Sequence, residues 1–254
     1  MDLKPGAVTG YEPQFDFPSR EGPPSLVYLL ASVPRSGSTY VSHLLWETGC
    51  LGAPLEYMNF EPAGPYGFAS ESRAAQTDLW RAALQRRTSP NGVFGLKSFP
   101  LQLEDLNTVN PQLLGLIMRT LFARGQPARV VELRRRDRVA HAISYARASL
   151  SGIWRKEQEH DDRPEPEYSP DAMARATRLI EQQEAAWQAM YRDLRVEPLV
   201  IWYEDVLADS ASAIGAVAAY LDVLLDPAAV AAVPPIERQS QAGAQAWAAR
   251  HVAS

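Results

Sequence analysis

The chain of 254 residues is long enough for one α/β domain with a complete hydrophobic core, or for two small domains. Its hydrophobic fraction of 46% and charged fraction of 22% are those of an ordinary globular protein. A net charge of −5 argues against nucleic acid as a partner, and a single cysteine excludes a disulfide framework. The four histidines lack metal-ligand spacing, and neither a signal peptide nor a transmembrane segment is visible, so we expect a cytoplasmic protein without a metal site.

The first 24 residues differ in composition from the rest of the chain. Residues 1–24 are rich in proline, glycine and charged residues, which favours a flexible arm with little core of its own. The remaining residues, 25–254, are expected to form a single domain. Its first apolar run, Leu26–Ala31, is short and continuous, as is typical of a parallel strand buried on both faces.

Strands and helices alternate along this domain. Further apolar runs predict strands at residues 93–96, 129–133 and 199–203. One helix is predicted between the turn after the first strand and Gly49, and a second begins after Asp137. A third begins at Ser169-Pro170 and carries an apolar stripe at Met173, Ile180, Trp187 and Leu194. A fourth runs through Ile214, Val217 and Leu221. This alternation predicts an α/β fold: a P-loop-like parallel sheet with helices on both faces. Residues 155–168 are expected to form a mobile surface loop and residues 50–90 an insertion over the ligand face.

Residues 32–39 (Ser-Val-Pro-Arg-Ser-Gly-Ser-Thr), which we call the phosphate loop, join the first strand to the first helix. Such a turn leaves backbone N–H groups unpaired at the positive end of a helix dipole, where a phosphate binds well. The lysine and the glycine spacing of the nucleoside triphosphatase loop are missing. The alternative interpretation is a plain helix N-cap with an incidental arginine. The candidate ligands of the phosphate are Arg35, Ser36, Gly37, Ser38 and Thr39.

The chain resembles the sulfotransferases that use 3'-phosphoadenosine 5'-phosphosulfate (PAPS). Residues 34–39 resemble the 5'-phosphosulfate loop of that superfamily, and residues 131–137 with Ser144 resemble its 3'-phosphate motif. Residues 202–206 resemble a third segment that is common across the superfamily. Finer features resemble the bacterial trehalose 2-sulfotransferase family: the nine-residue spacing from Arg135 to Ser144, and residues 52–57, 91–97 and 234–239 with Trp247. The resemblance covers about residues 26–250.

The resemblance implies a donor, PAPS, with two anionic groups, and the chain supplies two strand-to-helix turns for them. In a parallel sheet these turns lie side by side at the carboxyl edge of the strands. Arg135 would hold the 3'-phosphate with Ser144, while Arg35 would stabilise the bridging oxygen as the bond to sulfur breaks. At least one arginine of the run 134–136 is expected to be a solvated charge. The resemblance further implies that Arg238 and Gln239 close over the nucleotide.

On the acceptor side, the resemblance places Glu56 where the trehalose enzymes have their proposed catalytic glutamate. Its apolar neighbours in sequence suggest a raised pKa, while a surface glutamate is the alternative. Lys97, at the end of a strand, either neutralises the sulfuryl group, contacts the acceptor or pairs with a carboxylate. Ala53 stands where the trehalose enzymes have an acidic residue, so the sugar contacts are expected to differ. Gly243 stands where they have an arginine, which puts the closing of the C-terminal segment in doubt.

The function expected from these features is sulfuryl transfer from PAPS to a hydroxyl of a carbohydrate, a glycolipid or a small metabolite, with no metal. Two alternatives stay open: an ATP-dependent phosphotransferase, which would need a lysine-bearing loop and an acidic Mg²⁺ site, and a non-catalytic nucleotide-binding module. Apolar stripes also leave a homodimer open, although nothing in the sequence establishes one.

Overall fold

A single parallel sheet forms the centre of the molecule. The computed structural model describes residues 8–62, 64–123, 127–159, 164–236 and 242–252. Its strands are β1 (Leu26–Ala31), β2 (Val93–Ser98), β3 (Val130–Arg134) and β4 (Leu199–Trp202). All pairings are parallel and the strand order is β2-β1-β3-β4. The predicted parallel sheet is confirmed, although β2 extends to Ser98 and the chain turns into a helix at Tyr203.

Helices connect the strands and extend the fold at the carboxyl end of the chain. Those in the described ranges are α1 (Ser38–Glu47), α2 (Arg73–Arg86), α3 (Pro100–Val109), α4 (Pro111–Leu121), α5 (Arg138–Ser151), α6 (Pro170–Leu194), α7 (Tyr203–Ala208), α8 (Ser210–Leu221) and α9 (Ala242–Val252). The predicted caps are confirmed, since Asp137 accepts from the Ala140 N–H at 2.8 Å and Ser169 from the Ala172 N–H at 3.2 Å. None of the described helices is long and apolar enough to cross a membrane.

The two faces of the sheet carry separate apolar clusters. Alternate side chains of β1 point to opposite faces: Tyr28 and Leu30 pack with α1, α7 and α8, whereas Leu29 and Ala31 pack with α4, α5 and α6. Helices therefore cover both faces, as predicted. The sequence of β1 is a continuous apolar run because helices bury both of its faces.

The apolar stripe of α6 is confirmed at three of its four positions. Met173, Ile180 and Trp187 are buried, but the side chain of Leu194 is 39% exposed. Leu194 is the last residue of the helix, and the chain reverses at Arg195, whose φ of 55° is left-handed. The helix therefore leaves the core at its final residue, whereas Tyr191 in the same turn is still buried.

The described part of the N-terminal segment, residues 8–24, packs against the domain. Phe17 is buried, and the Arg87 side chain, only 4% exposed, forms an ion pair with Asp16 at 2.8 Å. Arg87 also donates to the carbonyl oxygens of Gly10 at 2.8 Å and Glu12 at 3.2 Å. These residues therefore add Phe17 to the core of the domain, and they supply the acceptors that a buried guanidinium needs. The flexibility of residues 1–24 stays a prediction.

We expect the Arg87→Met substitution to lower the free energy of unfolding by about 3 kcal/mol, because it breaks a buried ion pair and leaves buried acceptors unpaired. Urea denaturation measures this change. Arg86→Met is the matched control: the Arg86 side chain is 56% exposed and lies 4.0 Å from the same carboxylate, so its loss should cost less than about 0.5 kcal/mol. Equal losses in the two variants would contradict the anchoring role of Arg87.

Candidate active site

The phosphate loop lies between the end of β1 and the start of α1, as predicted. Gly37 has a left-handed φ of 91°, and a Cβ at this position would lie 2.3 Å from the Tyr203 ring, so only glycine fits. Arg35 also has a left-handed φ, 69°. A non-glycine residue in this region stores backbone strain, and strain of this kind clusters at ligand sites.

Side chains from neighbouring elements hold the carbonyl oxygens of the loop. Trp187 of α6 donates its indole N–H to the Ser32 oxygen at 2.8 Å. His141 of α5 donates Nε2–H to the Pro34 oxygen at 2.9 Å, and Arg135 donates to the Arg35 oxygen at 3.2 Å. The loop is therefore fixed by contacts from the β3–α5 turn, α5 and α6, none of which is adjacent to it in sequence.

The structure brings Arg35, Arg135 and Ser144 together. Arg35 donates Nε–H to the Ser144 hydroxyl at 3.0 Å and hydrogen-bonds the Trp154 carbonyl oxygen. Ser144 thus contacts Arg35 directly, while Arg135 contacts the backbone of Arg35 and lies over the Tyr203 ring at 5.4 Å. The two expected anion sites are adjacent and share the Arg35 side chain.

The electrostatics of this cluster suit an anionic ligand. Burial and the positive charges of Arg135 and Arg147 lower the pKa of Arg35 to about 10. An anion would relieve that repulsion between like charges. Among the described residues, the buried Ser36 Oγ and Arg135 Nε have no hydrogen-bond partner. Buried polar atoms are normally paired, so these two fit the oxygens of a bound phosphate or sulfate group.

The other arginines of the run 134–136 are paired with carboxylates. Arg134 contacts Glu132 at 3.0 Å, and Arg136 contacts Asp205 and lies 4.8 Å above the Trp202 ring. The Arg135 guanidinium contacts the phosphate loop, whereas the paired Arg136 side chain is 48% exposed.

Residues 202–206 contact both the phosphate loop and the β3–α5 turn, and the sequence analysis did not identify these contacts. The Glu204 carboxylate accepts from the backbone N–H groups of Arg136 and Asp137, at 3.0 and 3.1 Å, and so fixes the β3–α5 turn. Tyr203 lies against Gly37 and beneath the Arg135 guanidinium. This segment therefore orients both halves of the anion site.

Glu56 and Lys97 form a buried ion pair next to the end of the phosphate loop. Glu56 Oε1 lies 2.9 Å from Lys97 Nζ, and the two side chains are 9% and 1% exposed. Lys97 also donates to the Thr39 hydroxyl at 3.2 Å. The pair is held at the sheet edge, where the Lys97 backbone N–H donates to the Leu55 oxygen at 3.1 Å. One ammonium group thus connects the insertion 50–90 with the phosphate loop.

Four side chains surround the Glu56 carboxylate. Besides Lys97, Asn59 donates to Oε2 at 3.0 Å, Gln102 donates to the same atom at 2.9 Å, and Arg155 lies 3.9 Å from Oε1. Burial alone would raise the pKa of Glu56. The charges of Lys97 and Arg155 and the hydrogen bonds outweigh this effect, so the pKa is lowered to about 2. The prediction of a raised pKa is therefore wrong, because the apolar neighbours in sequence do not reveal these partners. Glu56 is not a surface residue either.

The match to known proteins agrees with this geometry. The Stf0 sulphotransferase family model matches residues 27–254. The chain belongs to this family. Trehalose 2-sulfotransferases of Mycobacterium tuberculosis and Mycolicibacterium smegmatis are 29% and 26% identical to it, each over 88% of this chain and 93% of theirs. The sulfotransferase domain of the Synechococcus PCC 7002 olefin synthase aligns with a TM-score of 0.46 and 14% identity, over 83% of this chain and 78% of that one.

Three further sequence expectations concern this Stf0 sulfotransferase. Arg238 and Gln239 lie outside the described residues. Residues 155–159 are not the surface loop expected, because Gln158 is buried and Arg155 reaches Glu56. The physical reason is the Glu56 carboxylate, which attracts the guanidinium inward; the mobility of residues 155–168 stays a prediction. Within the described ranges, no cluster of three His, Cys, Asp or Glu side chains could hold a metal, and a metal-free reaction stays a prediction.

The two histidines nearest the loop should make stability depend on pH. Burial lowers the pKa of His43, on α1, and of His141 to about 4. The unfolded chain takes up protons near pH 6.5, whereas the folded protein does not until about pH 4. The free energy of unfolding is therefore unaffected by these histidines above pH 6.5 and falls as the pH is lowered towards 4. Between pH 7 and pH 5 we expect it to fall by about 1–2 kcal/mol per histidine.

Urea denaturation at pH 7 and pH 5 measures this loss. The variant His141→Gln, which can still donate to the Pro34 oxygen, should show a smaller loss than the wild type. Glu56 does not interfere, since its contribution is lost only below about pH 4.5, towards the pKa of about 2. An unchanged loss in His141→Gln would contradict the assignment.

Proposed function

We propose that this Stf0 sulfotransferase transfers the sulfuryl group of PAPS to a hydroxyl of a carbohydrate, a glycolipid or a small hydroxylated metabolite. The observation that carries the proposal is the position of Lys97 Nζ, 2.9 Å from Glu56 and 3.2 Å from Thr39. A cation there faces a candidate base on one side and a candidate anion site on the other. That is the arrangement which transfer of an anionic group between two oxygens requires. The family assignment favours this reaction over phosphoryl transfer and over a non-catalytic module.

The donor would occupy the phosphate loop and the adjoining arginine cluster. The 5'-phosphosulfate would lie at residues 35–39 and the 3'-phosphate at Arg135 and Ser144. The unpartnered Ser36 Oγ and Arg135 Nε support this placement. Since Arg35 contacts Ser144 in the structure, its role at the bridging oxygen requires the guanidinium to turn away from that hydroxyl.

In the proposed mechanism the acceptor oxygen attacks sulfur in line with the bridging oxygen. The hydroxyl proton goes to Glu56, the bond from sulfur to the bridging oxygen breaks, and adenosine 3',5'-bisphosphate leaves. Lys97 would turn from Glu56 to the sulfuryl oxygens, which would neutralise their charge and make Glu56 more basic. The sulfuryl group carries less charge than a phosphoryl group, so we propose that no metal is required.

The acceptor class is supported by the relatives and by the site. Both curated relatives are named trehalose 2-sulfotransferases. The resemblance implies that Ala53 stands where those enzymes have an acidic residue, and Ala53 is fully buried in this chain. We therefore propose a carbohydrate-like acceptor whose contacts differ from those of trehalose.

Arg135→Ala should weaken the binding of adenosine 3',5'-bisphosphate by about 10–100-fold, because it removes charge-assisted hydrogen bonds to a phosphate. Isothermal titration calorimetry measures the affinity. Arg136→Ala, which removes the neighbouring guanidinium that pairs with Asp205, is the matched control and should change the affinity less than about twofold. Stabilisation of the wild type by ATP–Mg²⁺ but not by the bisphosphate would contradict the proposed donor.

Glu56→Gln should lower the turnover number by about 10²–10⁴-fold, because an amide cannot accept the hydroxyl proton. Transfer of radiolabelled sulfuryl from PAPS to a carbohydrate panel that includes trehalose measures turnover. Binding of adenosine 3',5'-bisphosphate should not change, since Glu56 lies on the acceptor side. Glu61→Gln, on an exposed carboxylate of the same insertion, is the control. Normal turnover in Glu56→Gln would remove Glu56 from the mechanism.

A further inference from the structure

The N-terminal segment reaches the candidate base. Tyr11 lies before residue 27, where the match to the family model begins. Its hydroxyl oxygen accepts a hydrogen bond from the backbone N–H of Glu56 at 3.0 Å. A residue from the predicted arm therefore determines where the Glu56 backbone lies.

This segment is held in place by a built network. The Glu12 carboxylate accepts from the backbone N–H groups of Thr9 and Gly10, each at 2.8 Å. These hydrogen bonds close a turn that contains Tyr11. The buried Arg87 side chain hydrogen-bonds the carbonyl oxygens of Gly10 and Glu12. Because these contacts flank Tyr11 on both sides, its ring has a defined position.

Aromatic packing fixes the direction of the Tyr11 ring. The ring meets Tyr66 edge-on at 5.2 Å and Tyr57 edge-on at 6.5 Å. Both partners belong to the insertion 50–90. Edge-to-face pairs of this kind have a preferred geometry, so the Tyr11 hydroxyl is directed at Glu56 rather than merely near it.

Arg155 joins Tyr11 and Glu56 from a third part of the chain. Its guanidinium lies 5.4 Å from the centre of the Tyr11 ring and 3.9 Å from Glu56 Oε1, and its side chain is 19% exposed. Burial raises the pKa of Tyr11, and the charge of Arg155 and a hydrogen bond from it oppose that rise. The cation is thus held over an aromatic face and beside a carboxylate at the same time.

The arrangement gives the Glu56 carboxylate a second cation. Oε1 is shared by Lys97 and Arg155, whereas Oε2 accepts from Asn59 and Gln102. If a buried carboxylate had one counter-ion and lost it, the carboxylate would become an unpaired buried charge, which is strongly unfavourable. With Arg155 in place, Lys97 can turn to the sulfuryl group while Glu56 stays ionised and correctly oriented.

We propose that residues 9–17 are a functional part of the acceptor side. In this segment Tyr11 is a positioning residue that fixes the place of the Arg155 guanidinium relative to the Glu56 backbone. This inference rests on the proposed function, since it assigns Tyr11 and Arg155 to the support of the proposed base. It predicts that the Tyr11 hydroxyl matters for turnover although it takes no part in proton transfer.

Tyr11→Phe tests the proposal because it keeps the ring and removes only the hydroxyl. We expect the turnover number for radiolabelled sulfuryl transfer to the carbohydrate panel to fall about tenfold, with the KM for PAPS unchanged. Tyr66→Phe is the matched control: the Tyr66 hydroxyl makes no hydrogen bond within the described ranges, so both constants should keep their wild-type values. Equal effects in the two variants would overturn the proposal.

A spectroscopic measurement decides the proposal without any acceptor. The carboxyl ¹³C resonance of Glu56, assigned by its loss in Glu56→Gln, is followed from pH 7 to pH 3.5. In the wild type the carboxylate should stay ionised over this range, because its pKa is about 2. In Tyr11→Phe and in Arg155→Met it should begin to protonate within the range, and Arg155→Lys should restore the wild-type behaviour. An unchanged titration in Tyr11→Phe overturns the positioning role.

The double variant Tyr11→Phe/Arg155→Met separates a shared role from two independent ones. If Tyr11 acts through Arg155, the double variant titrates like Arg155→Met alone; additive effects overturn this link. Failure of the proposed function is a different result: the wild type would transfer no sulfuryl group to the panel, while the titrations would still report on Tyr11.

Discussion

Lys97 and Glu56 are buried together, and each stabilises the charge of the other. An unpaired charge at either position would cost several kcal/mol of solvation free energy. The pair lies where β2, the insertion 50–90 and the phosphate loop meet, with the Lys97 ammonium 2.9 Å from Glu56 and 3.2 Å from the Thr39 hydroxyl. The requirement for mutual neutralisation therefore holds these three parts of the chain in one geometry. The proposed acceptor side and the proposed donor side are adjacent for the same reason.

The donor side depends on a different constraint, the alignment of parallel strands. Because β1 and β3 are neighbours and run in the same direction, their following turns lie at the same edge of the sheet. Arg135 can therefore donate to the Arg35 carbonyl oxygen, and Tyr203 from the turn after β4 can pack against Gly37. Three turns thus contribute to one anion site, although they are far apart in sequence. The carbonyl oxygens of the phosphate loop are occupied by side chains from outside the loop, and this leaves its conformation little freedom.

Features with a local cause could be predicted from the sequence, and features with distant partners could not. The strands appear as apolar runs, and the helix starts at Asp137 and Ser169 as capping residues, because these signals lie within a few residues of the structure they specify. The pKa of Glu56 is lowered by Lys97, Arg155 and Asn59, and the first two of these are distant in sequence. Its apolar neighbours therefore suggested the wrong direction. The composition of residues 1–24 resembles that of a flexible arm, but the buried Arg87 side chain needs the acceptors in this segment. The contacts of Glu56 with Lys97 and Arg155, and those of Arg87 with the N-terminal segment, produce no pattern that a single sequence would show.

The low pKa of Glu56 gives the proposed base a dependence on the donor. With Lys97 at 2.9 Å, the carboxylate is a weak base, so a hydroxyl bound without donor would not be deprotonated effectively. A sulfuryl group at the phosphate loop would attract the ammonium from Glu56 and leave the carboxylate with Arg155 at 3.9 Å as its remaining counter-ion. The pKa of Glu56 would then rise, because the closer positive charge is the one that moves. Base strength would thus develop only when the donor is bound, which explains how a glutamate with four polar neighbours can still accept a proton in the reaction.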